Sequence, residues 1–140
     1  MEKKFIDLAP KYFLEQGYSC SESVVKAAAD NGLVNHSLIP VATPFSGGIS
    51  SGCLCGAVAG MQLVIGAMKG RISTEQSPLD TKTLAKISME KFKEKNKFTC
   101  CKALTAGLEM GSPERKQNCY KLVCDCAEIL EELVSNKIES

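Results

Sequence analysis

The chain has 140 residues, a formal net charge of +1, eight cysteines, one histidine and no tryptophan. This length corresponds to one domain, which can bury about two-thirds of its unfolded surface without disulfide support. The near-zero net charge excludes a strong attraction to nucleic acid or to a membrane surface, so neither partner is expected. The cysteines are therefore expected to serve chemistry rather than to hold the fold together.

The first residues, 1–11, carry charge from the second position onward and contain no continuous apolar run. They do not resemble a secretion signal, and we therefore expect a cytoplasmic protein. In a reducing compartment thiols are kept for metal binding or redox chemistry.

Helical signals recur along the chain, and no segment alternates in the way a strand does. The sequence therefore predicts an all-α fold, with residues 1–140 forming a single-domain bundle of about five to six helices. The first helix is predicted from about residue 3 to residue 16. Ser19 and Glu22 form a capping box, which predicts a second helix from Cys20 to about residue 31.

Residues 33–52 contain prolines and paired glycines, which predict a long connecting loop. No charged residue occurs in 31–68, so this segment is expected in the interior. It includes a third, central helix, predicted to begin near 52–54 and to end at Met68. Its uncharged stretch is shorter than the ~20 residues that cross a bilayer, so burial in the protein is expected instead. Gly52, Gly56 and Gly60 fall on one helical face, where another backbone can approach closely.

Ser77 and Pro78 predict the start of a fourth helix that reaches about residue 96, with Leu84, Ile87 and Met89 facing inward. A short helix is predicted at 100–106, and Ser112 with Pro113 opens the last long helix. The apolar stripe of that helix consists of Cys119, Leu122, Cys126, Ile129, Leu130 and Leu133.

No two cysteines form a C-x-x-C pair, which disfavours a zinc finger or a thioredoxin-type site and favours a site assembled from distant helices. Cys20 and Cys55 fall in the first turns of predicted helices, where unpaired amides and the helix dipole favour a thiolate. Cys101 follows a predicted helix start, and Cys119 lies on an apolar helix face. If these helix ends converge, they present four sulfurs to one point.

Simple burial is the alternative for any free cysteine, and packing in the core or at its flank is the expected role of Cys124 and Cys126. Cys53 and Cys55 would point to opposite sides if both were helical, so they are not expected to share a site unless the helix begins after Cys53. The single histidine, His36, stands in the predicted loop, so a cysteine–histidine catalytic pair is not expected.

The segment CGAVAG at 55–60 fits the CGAxxG motif of the C_GCAxxG_C_C family, small prokaryotic proteins regarded as redox-active. The chain also resembles this family in GYSCSESV at 17–24, in the C-x-x-L-x-x-G segment at 101–107 and in a late helix that contains a cysteine. The resemblance implies that the family's four characteristic cysteines correspond to Cys20, Cys55, Cys101 and Cys119.

A related domain of split-Soret cytochromes carries four such cysteines that look like an iron–sulfur site. The resemblance therefore implies an iron–sulfur cluster here, 2Fe-2S rather than 4Fe-4S, with Gly56 and Gly60 letting backbone amides approach the sulfurs. Four further cysteines lie outside the family pattern and leave open a second site, a vicinal-thiol switch or alternative ligands. They are Cys53, Cys100, Cys124 and Cys126.

The leading hypothesis is a small electron carrier rather than a substrate-turnover enzyme, since the sequence has no phosphate-binding loop and no recognisable catalytic carboxylate pair. One alternative is metal-free thiol–disulfide chemistry with Cys20 or Cys55 as the attacking thiol, and another is a module that binds zinc or copper. A redox partner protein is expected, while homodimer formation is left open. An acidic partner could dock on the lysines of the fourth helix, although a merely solvated helix face is the simpler interpretation. These lysines are Lys82, Lys86, Lys91, Lys93, Lys95 and Lys97.

Overall fold

The computed structural model describes residues 5–135 and is built almost entirely from helices. Within these residues no strand is present, and a single isolated antiparallel bridge joins Leu54 and Cys100. The predicted all-α fold is confirmed. The helices are α1 (Phe5–Glu15), α2 (Cys20–Asp30), α3 (Ile39–Ala42), α4 (Gly56–Lys69), α5 (Leu79–Asn96), α6 (Cys101–Leu104) and α7 (Pro113–Ser135).

The start of α2 is fixed by the predicted capping box. The Ser19 hydroxyl accepts a hydrogen bond from the Glu22 amide at 3.3 Å, and the Glu22 carboxylate accepts one from the Ser19 amide at 3.0 Å. The Thr43 hydroxyl also donates to Glu22, at 2.6 Å. These bonds lower the pKa of Glu22, the Ser19 amide contributing most. The cap therefore makes Cys20 the first residue of α2.

Replacing Ser19 with alanine is expected to lower the free energy of unfolding by about 1 kcal/mol, because the Glu22 amide loses its acceptor at the helix start. Urea denaturation followed by circular dichroism would measure the change. An unaltered midpoint and slope would contradict a stabilising cap.

The central helix α4 packs its small residues against α2. A Cβ atom added to Gly60 would lie 2.8 Å from the Ser21 carbonyl oxygen, so the two helix backbones are in close contact. The close approach predicted for Gly56 and Gly60 is thus confirmed, but Gly52 precedes the helix, which begins only at Gly56. Among residues 5–135, no helix combines the length and the apolarity that a membrane crossing requires.

The two long C-terminal helices agree with the sequence to different degrees. In α7 the predicted stripe is buried except for the half-buried Cys119. In α5 the predicted inward residues Leu84, Ile87 and Met89 are only half-buried, whereas Ser88 and Phe92 are fully buried. Ser88 faces α4, because the Gln62 amide of that helix donates to the Ser88 hydroxyl at 2.7 Å.

The remaining boundaries shift by a few residues. The first helix is described from Phe5, and the predicted start at residue 3 lies outside the described residues. Pro78 precedes α5 instead of opening it, and the Ser77 hydroxyl accepts from the Leu79 amide at 3.1 Å. The helices predicted at 100–106 and from Ser112 and Pro113 onward are present as α6 and α7. At the start of α7 the Ser112 hydroxyl accepts a hydrogen bond from the Arg115 amide at 3.1 Å.

The segment between α2 and α4 differs from both predictions made for it. Instead of an open loop it contains helical turns at His36–Leu38 and Thr43–Phe45, with α3 between them. It is also not an interior segment throughout, since Val41 and Ile49 are 49% and 43% exposed. An uncharged sequence rich in serine, asparagine and proline keeps enough polarity to remain in contact with water.

Candidate cysteine site

The four cysteines predicted to act together come from four different helices. Cys20 is the first residue of α2, Cys55 directly precedes α4, Cys101 is the first residue of α6, and Cys119 lies in α7. Cys55 and Cys101 are buried, and the other two are half-buried. A Cβ atom added to Gly56, the residue after Cys55, would lie 2.5 Å from the Cys20 Sγ. Burial raises the pKa of Cys20 and of Cys55, and negative charge on Cys101 would raise both pKa values further, as charge on Cys119 would for Cys20. The structure therefore brings these four thiols into one neighbourhood.

Two backbone hydrogen bonds hold Cys55 and Cys101 in place. The Cys55 amide donates to the Thr99 carbonyl at 2.8 Å, and the Cys101 amide donates to the Cys53 carbonyl. These bonds flank the bridge between Leu54 and Cys100, so segments 53–55 and 99–101 run side by side. They also delay the start of α4, because Cys55 is held in an extended conformation.

Burial dominates the acid–base behaviour of Cys20 and Cys55. It raises the pKa of the Cys20 thiol to about 11 and that of the Cys55 thiol to about 12. The helix-end effect expected from the sequence is present but smaller, since the amides of Ala57 and Val58 lower the pKa of Cys55. The amide of Gly47 acts in the same direction on Cys20. Without a bound cation, both thiols are therefore protonated at neutral pH.

Glycines leave room for the sulfurs. A Cβ atom on Gly56 would lie 2.5 Å from the Cys20 Sγ, and one on Gly48 would lie 2.6 Å from the Cys101 Cβ. The turn that contains Gly48 is left-handed over 47–50, with φ of 59° at Ile49 and 56° at Ser50. A β-branched residue in this conformation is strained, which is typical of segments that are held in position for function.

Arg115 of α7 is a charged neighbour that the sequence analysis missed. Its guanidinium donates to the Cys101 Sγ at 3.9 Å. Burial raises the pKa of Cys119, while the Arg115 charge opposes that effect. The available signal was the spacing, because Arg115 precedes Cys119 by one helical turn and shares its face.

The other cysteines occupy different environments. Cys126 is fully buried, as predicted, but it also adjoins the site, since charge on Cys55 or Cys20 raises its pKa further. Cys124 is half-buried and lines a groove between α1 and α7. Cys53 and Cys100 are exposed. The Cys100 thiol donates to the Gly52 carbonyl at 3.2 Å.

The polar contact described for His36 is with Asp30 rather than with a cysteine. The histidine side chain is 62% exposed, and its Nε2 lies 2.8 Å from a carboxylate oxygen of Asp30. Within residues 5–135, no three or more histidine, cysteine or acidic side chains are already arranged as a metal site. The predicted ligand set therefore stays a prediction, and metal binding would require the four thiols to draw closer.

Maleimide labelling of the reduced, metal-free protein is expected to separate the cysteines by exposure. Cys53 and Cys100 should react at least about tenfold faster than Cys55 and Cys101, because buried thiols react only after local opening. Peptide mass spectrometry after short labelling times would measure the order. Equal rates for Cys53 and Cys55 would contradict the burial described above.

Comparison with known proteins supplies the family. The sequence profile described as "Putative redox-active protein (C_GCAxxG_C_C)" matches residues 18–133, a segment that contains all eight cysteines. No curated protein and no solved structure matches the chain. Because the matched segment covers far more than half of the sequence, the chain belongs to the C_GCAxxG_C_C family.

Proposed function

We propose that this protein is a small electron carrier in which Cys20, Cys55, Cys101 and Cys119 ligate an iron–sulfur cluster, of the 2Fe-2S rather than the 4Fe-4S type. The observation that supports the proposal is that the thiols at the starts of α2, α4 and α6 and in α7 lie near enough for charge on one to affect the pKa of another, in addition to the effect of burial. Four thiolates are the usual ligand set for such clusters. When bound, the cluster would supply reversible one-electron transfer.

The raised pKa values favour a metal centre over free thiolates. A thiol whose pKa is about 11 or 12 is a poor nucleophile at neutral pH, because only the thiolate attacks a disulfide. Metal ions remove this obstacle, since they displace the thiol proton directly. The burial that disfavours thiol exchange at Cys20 and Cys55 is therefore compatible with metal ligation.

The chain's own groups would stabilise the negative charge of such a centre. The amides of Gly47, Ala57 and Val58 are directed at Cys20 or Cys55, and hydrogen bonds to ligating sulfurs raise a reduction potential. Arg115 adds a positive charge beside Cys101. The first six residues of α4, which follow Cys55, are all buried, so this end of the helix is shielded from water.

A metal-free redox protein is the second candidate, and one specific contact favours it. The backbone hydrogen bond from Cys101 to Cys53 pairs these residues across the two neighbouring segments. Opposed residues of an antiparallel pair have Cα atoms about 4.5–5.5 Å apart, which is within the range that a disulfide requires. In such chemistry the two thiols would be oxidised to a disulfide while an incoming disulfide is reduced to two thiols.

A redox partner protein is also part of this proposal. Two of the α5 lysines that could dock an acidic partner are engaged within the protein, because Lys91 pairs with Glu132 at 2.6 Å and Lys95 pairs with Glu128. Burial raises the pKa of Cys119, and the positive charges that oppose this effect are those of Arg115 and Lys116, not those of the α5 lysines. We therefore propose that an acidic partner would approach on the Cys119 side rather than along α5.

The first experiment is anaerobic purification followed by visible absorption spectroscopy and by measurement of iron and acid-labile sulfide. Charge-transfer bands together with equimolar iron and sulfide are expected. A colourless protein that takes up no cluster on reconstitution would contradict the proposal. Zinc and copper analysis with thiol titration would then distinguish a soft-metal module from disulfide chemistry.

A further inference from the structure

A cavity of about 460 Å³ opens beside Cys101, between the left-handed turn and the start of α6. Its described lining contains two cationic side chains, Lys102 and Arg115, and no carboxylate. Ser46 and Ser50 also line it. This volume is within the range of small-molecule binding sites.

Arg115 retains most of its hydrogen-bonding capacity. A guanidinium carries five N–H donors, and its side-chain bond in the described region is the long contact of 3.9 Å to the Cys101 Sγ. The ion pairs found within residues 5–135 involve other residues. The donors of Arg115 are therefore available to a ligand in the cavity.

Lys102 lies against the turn through its aliphatic stem. A Cβ atom on Gly52 would lie 2.6 Å from the Lys102 Cγ and 2.8 Å from its Cε, so the stem packs over this glycine. Lys102 is exposed, and it lines the same cavity as Arg115.

The strained turn supplies the opposite wall. Ser50 adopts its left-handed conformation at this wall, and its hydroxyl makes only a 3.5 Å contact with the Pro44 carbonyl. The Ser46 hydroxyl makes a similarly long contact of 3.4 Å with the Thr43 carbonyl. Both hydroxyls can exchange these weak contacts for a shorter bond to an anion.

We propose that this cavity binds a small molecule through its oxyanion group, a phosphate or a carboxylate, which Arg115 and Lys102 hold next to Cys101. Arginine binds such groups in a bidentate manner, and lysine adds a second charge suited to a dianion. The inference goes beyond the proposed function, because it requires no cluster. A ligand in this position would lie beside one of the candidate redox thiols and would give the protein a small-molecule partner.

Isothermal titration of the protein as purified with inorganic phosphate, and separately with succinate, tests the proposal. One saturable site is expected, and the tighter of the two probes identifies the oxyanion class. Arg115→Gln should weaken binding at least about tenfold, since a charge-assisted hydrogen bond is lost. Lys86→Gln removes the same charge from the exposed face of α5 and should leave the affinity unchanged. Absence of saturable binding by both probes, or equal weakening by the two variants, would overturn the inference.

A second measurement needs no variant. The chain has two arginines, and phenylglyoxal should modify Arg71 at the same rate with or without phosphate, because Arg71 is exposed and bonds only to the Gln76 carbonyl in the described region. Phosphate at ten times its dissociation constant should slow the modification of Arg115 about tenfold. Unchanged modification of Arg115 would contradict binding in this cavity, even where the Arg115→Gln protein does not fold.

Discussion

Replacing Gly56 with alanine is expected to displace the Cys20 sulfur and to lower the free energy of unfolding by about 1–3 kcal/mol or more. The new Cβ would lie 2.5 Å from the Cys20 Sγ, 2.9 Å from the Ser46 Cα and 3.0 Å from the Phe45 carbonyl oxygen. Two of these neighbours are backbone atoms, which cannot rotate away. The strain must therefore move the turn or the helix end that carries Cys20.

Gly66 provides a matched control within the same helix. A Cβ atom on Gly66 would meet nothing within 4 Å, so Gly66→Ala should stabilise the protein by up to about 1 kcal/mol through helix propensity alone. Urea unfolding of the two variants would measure the contrast, and iron content would report the effect on the site. Equal stability of the two variants would show that Gly56 is not in close contact.

Serine substitution at each of Cys20, Cys55, Cys101 and Cys119 is expected to abolish stable iron binding, a result that rests on the proposed function. A serine hydroxyl stays protonated at neutral pH and is a poor ligand for iron. The loss should exceed the roughly 10–100-fold that removal of an outer-shell partner costs a metal site. Iron and sulfide per chain, measured after anaerobic purification, would give the result.

Cys124→Ser is the matched control, because Cys124 lies in α7 like Cys119 but lines the groove beside α1. It should retain the full iron content. Cys126→Ser tests the exact ligand set, since Cys126 is buried beside Cys55 and Cys20. If Cys119→Ser retains iron and Cys126→Ser loses it, the proposed ligand set is contradicted. Cys126 would then replace Cys119 as the fourth iron ligand.

The parts of the fold that were predicted correctly depend on short-range signals. The capping box of Ser19 and Glu22 and the opening of α7 at Pro113 each involve residues within one helical turn, so the sequence contains the whole interaction. The start of α4 was predicted too early for the opposite reason. Cys55 is kept extended by a hydrogen bond to Thr99, and no local pattern reveals a partner so distant in the chain.

In the candidate site, too, local sequence signals indicated some features, while others depend on residues distant in the chain. Helix-end positions indicated from the sequence that Cys20 and Cys55 could meet, and the structure brings them together. The balance between burial and helix-end amides could not be predicted, because it depends on how many atoms surround each sulfur. The contributions of Gly48 and Arg115 were missed because each acts on Cys101 from a separate segment.

The bridge between Leu54 and Cys100 also has a consequence for folding. It closes a loop that contains the whole of α4 and α5, so its formation carries the entropic cost of a long-range contact. Packing of those two helices reduces that cost in advance, which makes the bridge a late event during folding. We therefore expect Cys55 and Cys101 to become neighbours only after the central helices have assembled, so that a partly folded chain presents separated thiols instead of a competing metal site.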